Sequence, residues 1–129
     1  SKEILLNKNS LININFSTGT FIVTIDYNGQ QIDGPVNEVL SLGDLEGKYK
    51  AFCWLVLVCD GNDMSEIIET LEAAKVISGN EQPIMILMMT QMGKGVDFME
   101  GSHKWHGIPP NDVQLATALN QLKETLGDY

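Results

Sequence analysis

Two Asp, one Asn and two Gly fall within the nine positions Asp26-Tyr27-Asn28-Gly29-Gln30-Gln31-Ile32-Asp33-Gly34, directly after the apolar run Phe21-Ile22-Val23-Thr24-Ile25. A segment that leaves a strand and turns sharply at Gly29 offers carboxylate, amide and backbone carbonyl oxygens over a short distance. A hard cation such as magnesium takes that donor set. Asn-Gly is also a strong hairpin signal, so an ordinary strand-ending turn is the competing reading and, on spacing alone, the simpler one.

The second concentration of reactive side chains lies between Thr90 and Pro110, where both histidines of the protein, His103 and His106, flank Lys104-Trp105 among glycines and prolines. Gly93-Lys94-Gly95 lacks the full Gly-x-x-x-x-Gly-Lys-Ser/Thr spacing of a phosphate-binding loop. The histidine pair lacks a third ligand at zinc spacing. An imidazole donating to a phosphate or to a substrate hydroxyl is the functional reading, and a loop histidine without a special role is its alternative. Met85, Met88, Met89 and Met92 read as sheet packing rather than a thioether metal site. Cys53 and Cys59 lie in or beside an apolar run and read as two buried thiols, which fits a reducing compartment.

The elements that must position these groups follow from periodicity. Leu11 to Phe16 alternates apolar and Asn residues, and Ser17-Thr18-Gly19 connects it to the run ending at Ile25, predicting an antiparallel edge hairpin over residues 11 to 26. Residues 1 to 10 show no clear period and read as a terminal arm. Pro35 to Gly43 reads as loop, and Asp44 then caps a short helix, weakened by Gly47, with Leu45, Tyr49 and Phe52 on one face. Trp54 to Cys59 and Ile84 to Met89 are uninterrupted apolar runs of buried parallel-strand type. Between them Asp63-Met64-Ser65-Glu66 has capping-box form, and Met64, Ile67, Ile68, Leu71 and Ala74 repeat at helical spacing. Strand, helix, strand predicts a βαβ unit, with the long loop leaving the carboxyl end of its second strand, where open α/β sheets bind ligands. Asn111 or Asp112 caps a last helix carrying Leu115, Leu119, Leu122 and Leu126.

With 129 residues and 43% hydrophobic content, the chain can bury one core and reads as a single domain. A formal charge of −9 argues against a nucleic-acid partner, which requires a basic face, and disfavours an anionic membrane surface. No apolar stretch reaches transmembrane length and no leader pattern is present, so the sequence reads as soluble and cytoplasmic.

Taken in order, Ile25 to Gly34, Tyr49-Lys50-Ala51-Phe52-Cys53-Trp54, Asp60-Gly61-Asn62-Asp63, Gln82-Pro83, Gly93-Lys94-Gly95 and Trp105-His106-Gly107 resemble transketolase, and most closely the separate N-terminal subunit of split transketolases. The resemblance runs from about Phe21 to the C-terminus, leaving residues 1–20 as arm and edge strand. It implies an α/β fold: a mainly parallel sheet flanked by helices, part of a thiamine diphosphate-binding domain, with the antiparallel N-terminal edge hairpin. It also implies ketol transfer between sugar phosphates with thiamine diphosphate and a divalent metal, Mg2+ or Ca2+.

Carried over position by position, the resemblance gives the metal the side-chain oxygen of Asn28 and the main-chain carbonyl of Gln30. Ile32 and Met92 would line the cofactor, and His106 would reach its diphosphate and the substrate's reacting end, as the catalytic histidine. His103 has no counterpart. The family's Gly-Asp-Gly metal motif is missing from the region before Asp26, as is the half of the enzyme that carries the activating glutamate. Cys53, Asn62 and Gln91 replace the more usual Gly, His, and Thr or Lys, which reads as relaxed constraint. The implied protein acts only with further chains, among them a transketolase C-terminal subunit, and forms a homo-oligomer. The rival expectation is a non-catalytic transketolase-like remnant that serves as an oligomerising interaction domain.

Overall fold

The computed structural model describes residues 2–7, 10–14, 21–80 and 82–122, with side chains from residue 21 onward. The elements in chain order are β1 (Lys2–Asn7), β2 (Ser10–Ile14), β3 (Ile22–Tyr27), β4 (Gln30–Gln31), β5 (Gly34–Pro35), α1 (Val36–Val39), α2 (Leu45–Ala51), β6 (Leu55–Asp60), α3 (Met64–Ile77), β7 (Ile84–Met89), a 3₁₀ turn (His103–Trp105) and α4 (Asp112–Gln121). They fall into two compact units, one of Ser1–Tyr27 with Gly43–Thr90 and one of Asn28–Leu42 with Gln91–Tyr129.

The first unit is a parallel sheet in the order β3-β7-β6, with Ile84 opposite both Ile22 and Leu55. The central strand is β7, and side chains alternate across a strand, so it feeds both faces. Met85 and Leu87 pack with Trp54, Val23, Ile25, Leu45 and Tyr49 on the side of α2. Ile84 and Ile86 pack with Cys59, Ala74, Ile67 and Ile77 on the side of α3. The expected βαβ unit is β6-α3-β7. Of the two apolar runs, only β7 is buried along most of its length; β6 is a flanking strand and leaves Val58 50% exposed.

An antiparallel N-terminal hairpin is present, but its strands are not those expected. β1 pairs with β2, placing Ile4 opposite Ile12 and Leu5 opposite Leu11, so the presumed arm supplies one strand. β3 instead joins the parallel sheet. Its apolar run finds more burial beside β7 than a two-stranded ribbon offers. The stretch expected as loop after Pro35 contains α1, only four residues long.

Helix ends follow local chemistry. The Asp44 carboxylate accepts from the Gly47 N–H at 2.8 Å. A Cβ on Gly47 would sit 2.8 Å from the Asp44 Cγ, so the glycine that weakens α2 also admits its cap. At the other end the Cys53 N–H donates to the Lys50 carbonyl at 2.9 Å and the Trp54 N–H to the Tyr49 carbonyl at 3.1 Å. That bond pair is a Schellman closure, in which the residue at Cys53 takes the left-handed conformation, φ 64°. Tyr49 and Trp54 add the accompanying side-chain contact, their rings edge to face at 5.2 Å. Cys53 is exposed, against the expectation of two buried thiols; Cys59 is buried and both are free. Phe52, expected on the inner face of α2, is 48% exposed as its C-cap.

Asp63 caps α3 by accepting from Ser65 and Glu66 N–H at 2.8 and 3.3 Å. The reciprocal half of the capping box is re-aimed, because Glu66 accepts from the Asp60 N–H at 2.8 Å and so ties the helix to the end of β6. The inner face of α3 is Ile67, Ala74 and Ile77, while Met64, Ile68 and Leu71 are exposed.

Candidate functional site

Asn28, Gln30, Ile32, Met92, His103 and His106 all lie in the second unit. Within it the oxygen-rich turn is a small hairpin. Gln30 pairs with Pro35 and Gln31 with Gly34, and the Val36 N–H donates to the Gly29 carbonyl at 2.9 Å. Gly29 is left-handed, φ 68°, as an Asn-Gly turn requires. The Asn28 side-chain oxygen accepts from the Gln30 N–H at 2.9 Å, an Asx turn that holds the amide in one orientation. An amide oxygen has two lone pairs, so one acceptor position remains.

The Gln30 side-chain oxygen is buried and has no hydrogen-bond partner among the described residues. A buried acceptor left unmatched costs free energy, which a donor arriving with a ligand or a water relieves. Ile32, next along the turn, is a large apolar side chain that is 69% exposed.

The long loop is tightly built. Gly93 and Gly95 are left-handed, φ 72° and 94°, and a Cβ on Gly93 would lie 2.6 Å from the backbone carbon and oxygen of Met99. Gly93 thus serves a close approach of two backbone stretches, whereas a Cβ on Gly95 would meet the Leu122 side chain at 3.0 Å. The Met92 carbonyl accepts from the Gly101 N–H at 2.9 Å, closing the loop at its base. Glu100 accepts from the Gly95 N–H at 3.0 Å and from the Gln91 side-chain amide at 3.3 Å. The Trp105 indole N–H donates to the Phe98 carbonyl at 2.9 Å, and the two rings meet edge to face at 5.4 Å. His106 follows as the cap of the 3₁₀ turn, exposed, its N–H donating to the His103 carbonyl at 3.0 Å.

β5 runs beside the 3₁₀ turn, so the Asn28–Gly34 hairpin and the histidine-bearing turn are neighbours although about 70 positions separate them in sequence. Oxygen donors, an exposed apolar side chain and imidazole therefore lie on neighbouring segments of this unit. Among the described residues no cluster of three or more His, Cys, Asp or Glu could hold a metal, and no helix is long and apolar enough to cross a membrane.

The family model for the transketolase thiamine diphosphate binding domain matches residues 7–127. The chain belongs to that family. The transketolase match reaches further toward the N-terminus than Phe21, taking in the expected edge strand and the end of the residues read as an arm. Over 111 residues the chain is 33% identical to one subunit of the apulose-4-phosphate transketolase of Phocaeicola vulgatus, covering 86% of itself and 39% of that relative. To the 6-deoxy-6-sulfo-D-fructose transketolase subunit SqwG of a Clostridium species it is 38% identical over 103 residues, 80% of this chain and 37% of the relative. The chain thus spans under two fifths of the length of these split-type transketolase subunits. Among solved structures, the transketolase of Campylobacter jejuni superposes with a TM-score of 0.69 at 30% identity over 82% of this chain and 17% of that one.

Glu100 and Trp105 are the residues that sequence reasoning missed as parts of the site's frame. A lone Glu in a loop gives no signal until its partners are known. For Trp105 the signal was its place between two histidines.

Proposed function

We propose that the chain is part of a transketolase N-terminal subunit that helps hold thiamine diphosphate and a divalent cation for ketol transfer between sugar phosphates. The observation that carries this reading is the placement of the Asn28–Gly34 hairpin beside the turn that bears His106. Asn28 offers its free lone pair and Gln30 its main-chain oxygen to Mg2+ or Ca2+, and both donors match a hard cation in type. Neither carries charge, so the cation's two positive charges are balanced by the cofactor's diphosphate and by a carboxylate from outside the described residues. Ile32 and Met92 give apolar contact to the cofactor rings and exclude water there. His106, exposed and on a pinned turn, donates to the diphosphate or the substrate's reacting oxygen. The bound cofactor supplies the carbanion chemistry, and this chain's residues orient it.

The short share of the relatives' length leads us to place the remaining ligands, the activating glutamate and a C-terminal subunit on further chain. Exposed Met64, Ile68 and Leu71 on α3 support association, which we propose includes a second copy of this protein. We place the protein in the cytoplasm, where sugar phosphates are found.

Titration calorimetry with thiamine diphosphate and magnesium tests the reading: binding that is lost in Asn28→Ala supports it. If the chain alone does not bind, a split-type C-terminal subunit is added. Neither complex nor ketol transfer at that stage overturns the proposal in favour of a non-catalytic, self-associating remnant. A strict monomer by light scattering would remove the homo-oligomer.

A further inference from the structure

We propose that Glu100 is a positioning residue that sets Met92 and His106 in one frame, an inference that rests on the reading that these two residues face the cofactor. The backbone from Gln91 to His106 is folded into two linked turns. Glu100 holds the first, one oxygen on the Gly95 N–H at 3.0 Å and the other on the Gln91 side-chain amide at 3.3 Å. The adjacent Gly101 N–H donates to the Met92 carbonyl at 2.9 Å, so fixing Glu100 fixes Met92. Phe98, two residues earlier, accepts from the Trp105 indole and stacks on it edge to face, so the same short segment also fixes the turn that ends at His106. Gly93, pressed against the Met99 backbone, leaves no slack between the two ends.

A carboxylate suits this place because it accepts at both oxygens and carries no donor, and its charge strengthens both bonds. Glutamine at 100 would present its NH2 to one of two donors. Exchanging the pair, Gln91→Glu with Glu100→Gln, restores one donor and one acceptor across the gap and leaves an acceptor for the Gly95 N–H. That double variant separates positioning from a merely structural use of residue 100.

Amide hydrogen exchange on the full chain reads the frame directly. In Glu100→Ala, exchange at Gly95, Gly101 and His106 is expected to accelerate tenfold or more while β3, β6 and β7 are unchanged, and the exchanged pair returns all three to within threefold of the parent. Acceleration confined to Gly95, or no recovery in the exchanged pair, overturns the proposal. Calorimetry with thiamine diphosphate and magnesium gives the second readout, with affinity at least tenfold weaker in Glu100→Ala and recovered in the exchanged pair. Equal affinity in all three proteins overturns the positioning role. If the parent chain itself does not bind, the cofactor reading loses its support from the isolated chain, and the exchange result alone decides the role of Glu100.

Discussion

Replacing Cys53 by Gly is expected to stabilise the protein. Cys53 is exposed and left-handed, φ 64°, at the position of the Schellman closure of α2 that glycine usually takes. A Cβ in that conformation meets the following carbonyl oxygen and costs about 1–2 kcal/mol. Glycine removes that cost but loses roughly 0.5–1 kcal/mol through the greater freedom of the unfolded chain. The difference is a gain of about 0–1.5 kcal/mol, centred on about 0.7 kcal/mol. An exposed thiol contributes little packing to offset it, and the closing bonds from Cys53 and Trp54 are main-chain bonds that survive the change. Cys53→Ala keeps the Cβ and removes only the thiol, so it is expected within about 0.5 kcal/mol of the parent. Urea denaturation, followed by tryptophan fluorescence because Trp54 adjoins the site, measures all three proteins. A raised midpoint at constant slope for glycine alone agrees with the argument. Equal midpoints for glycine and alanine would refute it, since the strain would then not reside in the Cβ.

Gly93→Ala adds a Cβ 2.6 Å from the Met99 backbone at a left-handed position, and is expected to remove more than about 2 kcal/mol from the local stability of the Gln91–Gly101 loop, seen as faster amide exchange there with the sheet unaffected. Asp63→Ala removes the acceptor of two N–H groups at the start of α3 and should cost about 1 kcal/mol in denaturant titrations, with Asp63→Asn nearly neutral. Burial raises the Tyr49 phenol above its ordinary 10.0. The unfolded chain therefore releases that proton first, and the native state binds more protons above about pH 10. This contribution is fully present below that pH and is lost as pH rises through the folded value. Denaturation midpoints measured from about pH 9 to about pH 11.5, a range that brackets the phenol's ordinary titration, should fall less steeply in Tyr49→Phe.

Much of the first unit was legible because it rests on local signals. The apolar runs of β6 and β7 and the Asp63 cap specify strand, helix and strand without outside information. Pairing was not legible: Ser17-Thr18-Gly19 looks like a hairpin connection, yet β3 finds its partner beyond residue 80, and a strand's own pattern does not name its neighbour. The inner face of α3 was also ambiguous, since Met64, Ile68 and Leu71 are as apolar and as regularly spaced as Ile67, Ala74 and Ile77. Four residues of α1 are too few to show a period. At the site, the turn at Asn28-Gly29 was readable from its residue types, and Asn28 indeed folds back on Gln30. The roles of Gly93 and Glu100 were not, because each depends on backbone brought back from several positions later.

The position of β7 bears on how the chain is made. β3 and β6 are both neighbours of β7 in the sheet and are not neighbours of each other, yet β7 is the last of the three to be synthesised. From Tyr27 to Ile84 is 57 residues, which a ribosome translates in roughly 3–11 s at ordinary elongation rates. Throughout that interval the emerging β3 has neither of its sheet edges filled, and β6 shares the condition once it appears. The nascent chain is therefore most exposed to wrong strand partners just before the Ile84–Met89 segment leaves the exit tunnel, and slowed translation after Asp60 would lengthen that exposure.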